Sequence, residues 1–207
     1  MGEPTPTRRP VRIRTGAELT ALISDLDDLA ILVLFTEGDP LGVTPRTGVY
    51  LSRTGFLLDR RKLIIRTLTH LAVGARGREQ QIPLEDWIED GTDVAACALM
   101  DEDAVAERAG AVVEEPLEPR FQLLIAKLGL EPVYMRRACL IVNGLPPKDR
   151  LVLHHCLFQG KGFGRYAHEI GDTPQEVRAA FVRAVTAIST ADDHGREGKQ
   201  TKGGGDE

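Results

Sequence analysis

The chain has 207 residues, enough to bury one core or two small ones, and its low aromatic content of 5% with plentiful Arg, Ala and Leu favours helices over a β-rich fold. A net charge of −5 excludes a uniformly polybasic nucleic-acid binder, so charge has to be read locally. Cys97, Cys139 and Cys156 are odd in number, lack metal-ligand spacing and suit reduced thiols in a cytoplasmic protein; the most apolar run, residues 29–35, falls far short of the ~20 residues that span a bilayer.

No secretory signal is recognised, and Pro6 occupies the place where an N-myristoylation signal wants Ser or Thr. Residues 1–14 are rich in Pro, Thr and Arg and read as a disordered tail. From Thr15 the chain becomes periodic. Leu19, Leu22, Ile23, Leu26 and Leu29 are spaced for an amphipathic helix, with Thr15 and Glu18 as a capping box. Residues 31–35 continue the apolar run and fit a buried helix end or a strand equally well. Gly38, Pro40, Gly42, Pro45 and Gly48 then give residues 37–48 the composition of a loop.

Residues 50–87 form a second organised stretch. Leu57, Leu58, Leu63, Ile64, Leu68, Leu71 and Ala72 predict a helix packed on the first one. Its other face carries Arg60, Arg61, Lys62, Arg66 and His70, and Arg76 and Arg78 follow the break at Gly74. Basic side chains on one helical face are what neutralising backbone phosphates requires, although an ordinary solvated face has the same composition. Between residues 85 and 118 the charge reverses: twelve carboxylates face only Arg108. That composition reads as a solvated linker, residues 85–120, and it lacks the spacing of a calcium-binding loop. Short amphipathic helices follow over residues 121–128 and 134–142.

The strongest local pattern is residues 145–188. Pro147 suits the first turn of a helix over 148–158. Gly160, Gly162 and Gly164 break the chain before a helix through Tyr166, Ala167 and Ile170, and Gly171 is placed as a left-handed cap. Thr173 is an N-cap with Pro174 at the first position and Glu176 three residues on. Val177, Phe181, Ala184, Val185 and Ile188 make one buried stripe, which leaves Gln175, Arg178, Ala179 and Val182 facing outward. Two helices joined by a tight glycine turn, the second with a polar outer face, describe a helix-turn-helix. Residues 191–207, with Gly203–Gly205, read as a second disordered tail.

LPPKDRLVL, Gly160, Ala167, Gly171, Thr173, Val177 and Arg183-Ala184 resemble the fourth conserved region of sigma-70 factors, closest to the small extracytoplasmic-function type. Residues 62–66, Leu71-Ala72, Arg76, Arg78 and Pro83-Leu84-Glu85 are similar to the promoter-reading end of that family's second region. The resemblance implies a mainly α protein of two small helical domains, residues 15–84 and 121–190, joined by the acidic linker. It implies a promoter-recognition subunit whose partners are promoter DNA, core RNA polymerase and an anti-sigma factor, with no membrane association. Arg178 and Gln175 would then reach base edges, while Thr173, Arg183 and Lys161 would meet phosphates. The basic helix of residues 60–70, with Arg76 and Arg78, would meet the other promoter element.

A second reading is a regulatory or interaction protein that keeps the helix-turn-helix without engaging polymerase. The net charge, Glu176 in the reading helix and the lack of the family's acidic clamp-binding helix favour it. No cofactor, metal site or catalytic constellation is expected. Residues 160–164 lack a phosphate-loop spacing, and His154, His155 and Cys156 are neighbours on a helix and point apart.

Overall fold

A computed structural model describes the backbone of residues 12–111 and 118–200, with side chains through residue 190. The described residues are mainly helical and contain no strand. They form two compact units, one of residues 12–48 and 60–98, the other of residues 49–59, 99–111 and 118–200.

The first unit is built from α1 (Gly16–Ile23), α2 (Asp28–Gly38), the start of α3 (Val43–Thr54), α4 (Arg60–Gly74) and most of α5 (Leu84–Arg108). Each start has an identifiable cause. The Glu18 N–H donates to Thr15 Oγ1 at 3.2 Å, and the Glu18 carboxylate accepts from the Thr15 N–H at 3.1 Å. Asp27 caps α2 through the Ala30 N–H at 2.7 Å. Asp39 ends α2 in the left-handed region at φ 40°, and its carboxylate caps α3 by accepting from the Val43 and Thr44 N–H groups at 2.7 and 2.9 Å. Leu19, Ile23, Ile31, Phe35, Leu68, Leu71 and Ile88 fill the core, with α2 packed along α4.

Residues 31–35 are therefore helical. The expected loop over 37–48 shrinks to its first half, because Pro45 lies in the first turn of α3, where no N–H bond is lost. The tail expected over residues 1–14 gives way at its end: Ile13 is buried and its N–H donates to Pro40 O at 2.9 Å. Residues 1–11 lie outside the described residues.

The acidic stretch is not an irregular linker. Residues 84–108 are one helix, with Leu84, Ile88, Ala95, Ala96 and Leu99 buried at helical spacing and the carboxylates mostly on the outer face. Charge density hides the period, because each buried position is small or isolated among acids. Residues 112–117 of the expected linker lie outside the described residues. The compact units also depart from the expected domains of residues 15–84 and 121–190: residues 49–59 belong with the C-terminal helices. Leu57 and Leu58 accordingly sit in the connection between α3 and α4 rather than in a helix, and Leu57 packs into the second unit's core.

That second unit continues with α6 (Pro119–Leu128), a 3-10 turn (Pro132–Tyr134), α7 (Met135–Gly144), α8 (Pro147–Leu153), a π-helical turn (His154–Phe158), α9 (Phe163–Ile170) and α10 (Pro174–Gln200). Leu124, Met135, Cys139, Val142, Leu153, Ala184 and Ile188 make one core cluster. Val152, Tyr166, Ala167, Val177 and Ala180 make another beneath α9 and α10. The backbone of α10 runs to Gln200, so the tail expected from residue 191 does not start there; residues 201–207 lie outside the described residues.

Candidate nucleic-acid interface

Residues 163–190 have the geometry that the punctuation predicts. Gly171 ends α9 at φ 75°, and both its N–H and that of Asp172 turn back to Ala167 O. Two residues later Thr173 opens α10. Its Oγ1 accepts the Glu176 N–H at 3.2 Å and donates to Glu176 Oε2 at 2.8 Å, while its N–H donates to the same carboxylate at 3.0 Å. These bonds hold the Glu176 carboxyl below the usual carboxylate range. Glu176 is thus occupied in starting the helix.

Val177, Ala180, Ala184 and Ile188 are buried, and Phe181 and Val185 are half-buried. Gln175, Arg178, Ala179 and Val182 are exposed on the opposite face. Val182 keeps 53% of its surface accessible, which places an apolar side chain beside the polar ones. Arg178 has no ion pair or hydrogen bond among the described residues.

The remaining cations around this face are committed to carboxylates. Lys161 Nζ and Arg165 Nε meet Glu169 at 2.5 and 3.3 Å. Lys148 Nζ meets Asp172 Oδ2 at 2.8 Å, joining the first turn of α8 to the α9–α10 turn. Arg183 grips Asp149 with both ends of its fork, at 3.0 and 2.6 Å. Asp149 is buried while Arg183 is largely open. Lys161 and Arg183, expected as phosphate contacts, therefore start from ion pairs, whereas Thr173 starts from its cap. Residues 145–190 contain six Lys and Arg against four Asp and Glu, leaving +2 in a chain of net −5.

A second arrangement was not legible in the residue pattern. Residues 54–59 are held against α6, α7 and α8 by three polar side chains. Asn143 accepts the Leu57 N–H at 2.7 Å and donates to Leu57 O at 3.2 Å, reproducing a two-bond backbone pairing. Arg150 donates to Thr54 O at 2.6 Å and to Asn143 O and Leu145 O at 3.1 Å each, with its guanidinium 4.1 Å from the centre of the Phe56 ring. Arg120 donates to Leu58 O at 2.6 Å. Gly55, at φ 70°, leaves little room for a side chain: a Cβ would stand 3.1 Å from the Arg150 carbonyl oxygen. The available signal was Asn143, a polar residue in phase with the buried Met135, Cys139 and Val142.

The π-helical turn adds a third feature. His154 is buried, and burial pushes its imidazole down to about 4. His155 stacks on Tyr166 with centroids 4.5 Å apart and pairs with Gln159 Oε1 at 2.8 Å. No three potential metal ligands converge here or elsewhere among the described residues.

In the first unit Arg60, Arg61, Lys62, Arg66 and His70 are exposed or half-exposed on α4, in line with the periodicity. Arg60 also donates to Thr44 O at 3.1 Å. Arg76 and Arg78 are differently placed. Arg76 pairs with Asp28 at 2.9 Å and donates to Leu26 O; Arg78 is half-buried, donates to Ile82 O and lies over Trp87. Both tie loops together. Among the described residues no helix is long and apolar enough to cross a membrane. Comparison with protein-family models, with curated proteins and with solved structures gave no match.

Proposed function

We propose that this chain is a sequence-specific DNA-binding protein acting in transcription initiation, as a sigma-like promoter-recognition subunit of RNA polymerase. The observation that carries the reading is the exposed face of α10, with Gln175, Arg178, Ala179 and Val182 presented by a capped helix directly after a glycine turn. A helix so presented fits the major groove with its N-terminal residues toward base edges. Arg178 is the donor fork for a guanine, Gln175 the amide for an adenine, and the Ala179 and Val182 methyl groups suit thymine. Lys161, Arg183 and Thr173 contact phosphates, the two cations by exchanging their carboxylate partners for phosphate. The α4 face from Arg60 to His70 meets the other promoter element.

The test is co-purification of the full chain with core RNA polymerase, followed by selection of promoter fragments by the complex. A stable complex that enriches one duplex sequence supports the proposal. Sequence-selective duplex binding without polymerase supports instead a helix-turn-helix regulator, favoured by the capping role of Glu176 and the carboxylate pairs around α9. Binding to any duplex alike contradicts both.

A further inference from the structure

We propose that the outward faces of α4 and α5 in the first unit form a self-complementary surface through which two copies of this chain associate as a two-fold dimer. The basic face of α4 in one copy meets the acidic face of α5 in the other. Residues 60–74 carry four Lys and Arg and no acid, and residues 84–93 carry five Asp and Glu and no base. The two helices lie directly against each other. A Cβ on Gly91 would stand 2.6 Å from Leu71 Cδ2 and 3.4 Å from His70 Cδ2, and one on Gly74 would stand 3.8 Å from the Trp87 ring. Opposite charges therefore stand side by side within one compact unit.

Helix α4 turns Leu63, Thr67, Leu68 and Leu71 to the core, which leaves Lys62, Ile65, Arg66, Thr69 and Val73 on the opposite side at helical spacing. Helix α5 turns Leu84, Ile88, Ala95 and Ala96 inward, which leaves Asp86, Glu89, Asp90, Asp93 and Cys97 outward. Apolar side chains stand among both sets of charges. Val73 keeps 80% and Ile65 50% of their surface accessible beside the cations, and Val94 keeps 50% beside the acids. A partner that covers these side chains and brings the opposite charge gains on both counts.

The charge pattern selects a second copy as that partner. A two-fold axis applies one surface to itself, so the surface must carry the match to each of its own charges. Four positive charges on α4 against five negative ones on the first turns of α5 meet that condition. A nucleic acid matches α4 alone and is repelled by α5, and a uniformly basic protein matches α5 alone. Lys62, Arg66 and Glu89 already interact within the chain, and surface ion pairs exchange at little cost. The α4 cations are those assigned above to a promoter element, so the dimer and the DNA-bound chain are alternatives. That consequence rests on the DNA-binding reading; the self-association does not.

The experiment is sedimentation velocity of the full chain without DNA, from about 1 to 100 µM at low salt. A shift from monomer to dimer is expected, with a dissociation constant that rises about tenfold or more when the salt is raised from about 0.05 to 0.5 M. Two charge-reversal variants locate the surface. Lys62→Glu with Arg66→Glu makes both helices acidic, and Asp90→Lys with Asp93→Lys makes both basic. Each should stay monomeric alone, with unchanged helical circular dichroism because all four positions are exposed. An equimolar mixture of the two should regain the dimer, since α4 and α5 of one variant then oppose the reversed charges of the other in both contacts. A native chain that stays monomeric throughout, or assembles beyond a dimer, overturns the proposal. So does a dimer that survives in both variants, or the loss of dimer in both without recovery on mixing.

Discussion

Arg150 and Asn143 show what single polar residues do inside the second unit. Between them they satisfy the backbone groups of Thr54 and Leu57 and the carbonyls of Asn143 and Leu145. Replacing Arg150 by Met leaves three carbonyls without their donor and should cost about 2–4 kcal/mol; Asn143→Ala orphans the Leu57 N–H and C=O and should cost about 2–3 kcal/mol. Urea denaturation of each variant measures this, and a loss below ~0.5 kcal/mol for both would show that the clamp is not energetically coupled to the fold. Sequence periodicity marks apolar positions well, and so Val177, Phe181 and Ile188 were legible. It gives no sign that a buried Asn or Arg faces a backbone segment 86 or 96 positions away, because that partner carries no side-chain signature.

His154 gives the molecule a pH dependence of known sign. Its folded value of about 4 lies below the 6.5 of a free imidazole, chiefly through burial, with His155, Arg120 and Lys161 adding repulsion. The unfolded chain therefore binds the proton first. The stability tied to neutral His154 is complete above about pH 6.5 and is lost as pH falls toward 4. Denaturation midpoints at pH 7.5 and 4.5 should fall further for the native chain than for His154→Leu, in which the acid loss from carboxylates remains. Equal falls would contradict a buried neutral imidazole.

At the scale of elements, two glycines with nearly the same backbone make a controlled comparison. Gly171 sits at φ 75°, and a methyl added to it would meet nothing within 4 Å, so Gly171→Ala should cost only the left-handed strain, about 1 kcal/mol. Gly55 sits at φ 70°, and a Cβ added to it would stand 3.1 Å from both the Arg150 carbonyl oxygen and Cγ, so Gly55→Ala adds crowding against backbone to the strain and should cost about 2 kcal/mol. Thermal unfolding ranks the two, and the reverse order would contradict the close packing of residues 54–59 on Arg150. The elements that were legible are those whose caps are local: Thr15 with Glu18, Gly171, and Thr173 with Glu176. Helix α5 was not, because acidic composition outweighed the spacing of Leu84, Ile88, Ala95 and Leu99. Helix α3 was not, because Pro45 and Gly48 suggest a loop until Asp39 is seen to cap its first turn.

At the scale of the whole molecule, the chain's net negative charge is carried largely by α5, while residues 145–190 are slightly positive. Composition averaged over the chain hides this partition. The units are also interleaved in sequence, since residues 49–59 fold with the C-terminal helices. A sequence divided by composition into head, linker and reader therefore could not locate the boundary. Fragments of the second unit that lack residues 49–59 would omit the segment that Asn143, Arg150 and Arg120 hold.

The proposed reading of duplex DNA by the outer face of α10 is tested most directly by selection from a randomised duplex pool by the full chain and by its Arg178→Ala variant, with binding constants at one fixed salt concentration. The native chain should enrich a defined sequence. Arg178→Ala should bind that sequence about 5- to 150-fold more weakly, a loss of about 1–3 kcal/mol, and should lose preference at one base pair while its nonspecific binding changes little. A native chain that enriches no sequence, or a variant that matches it in both affinity and preference, would contradict the account.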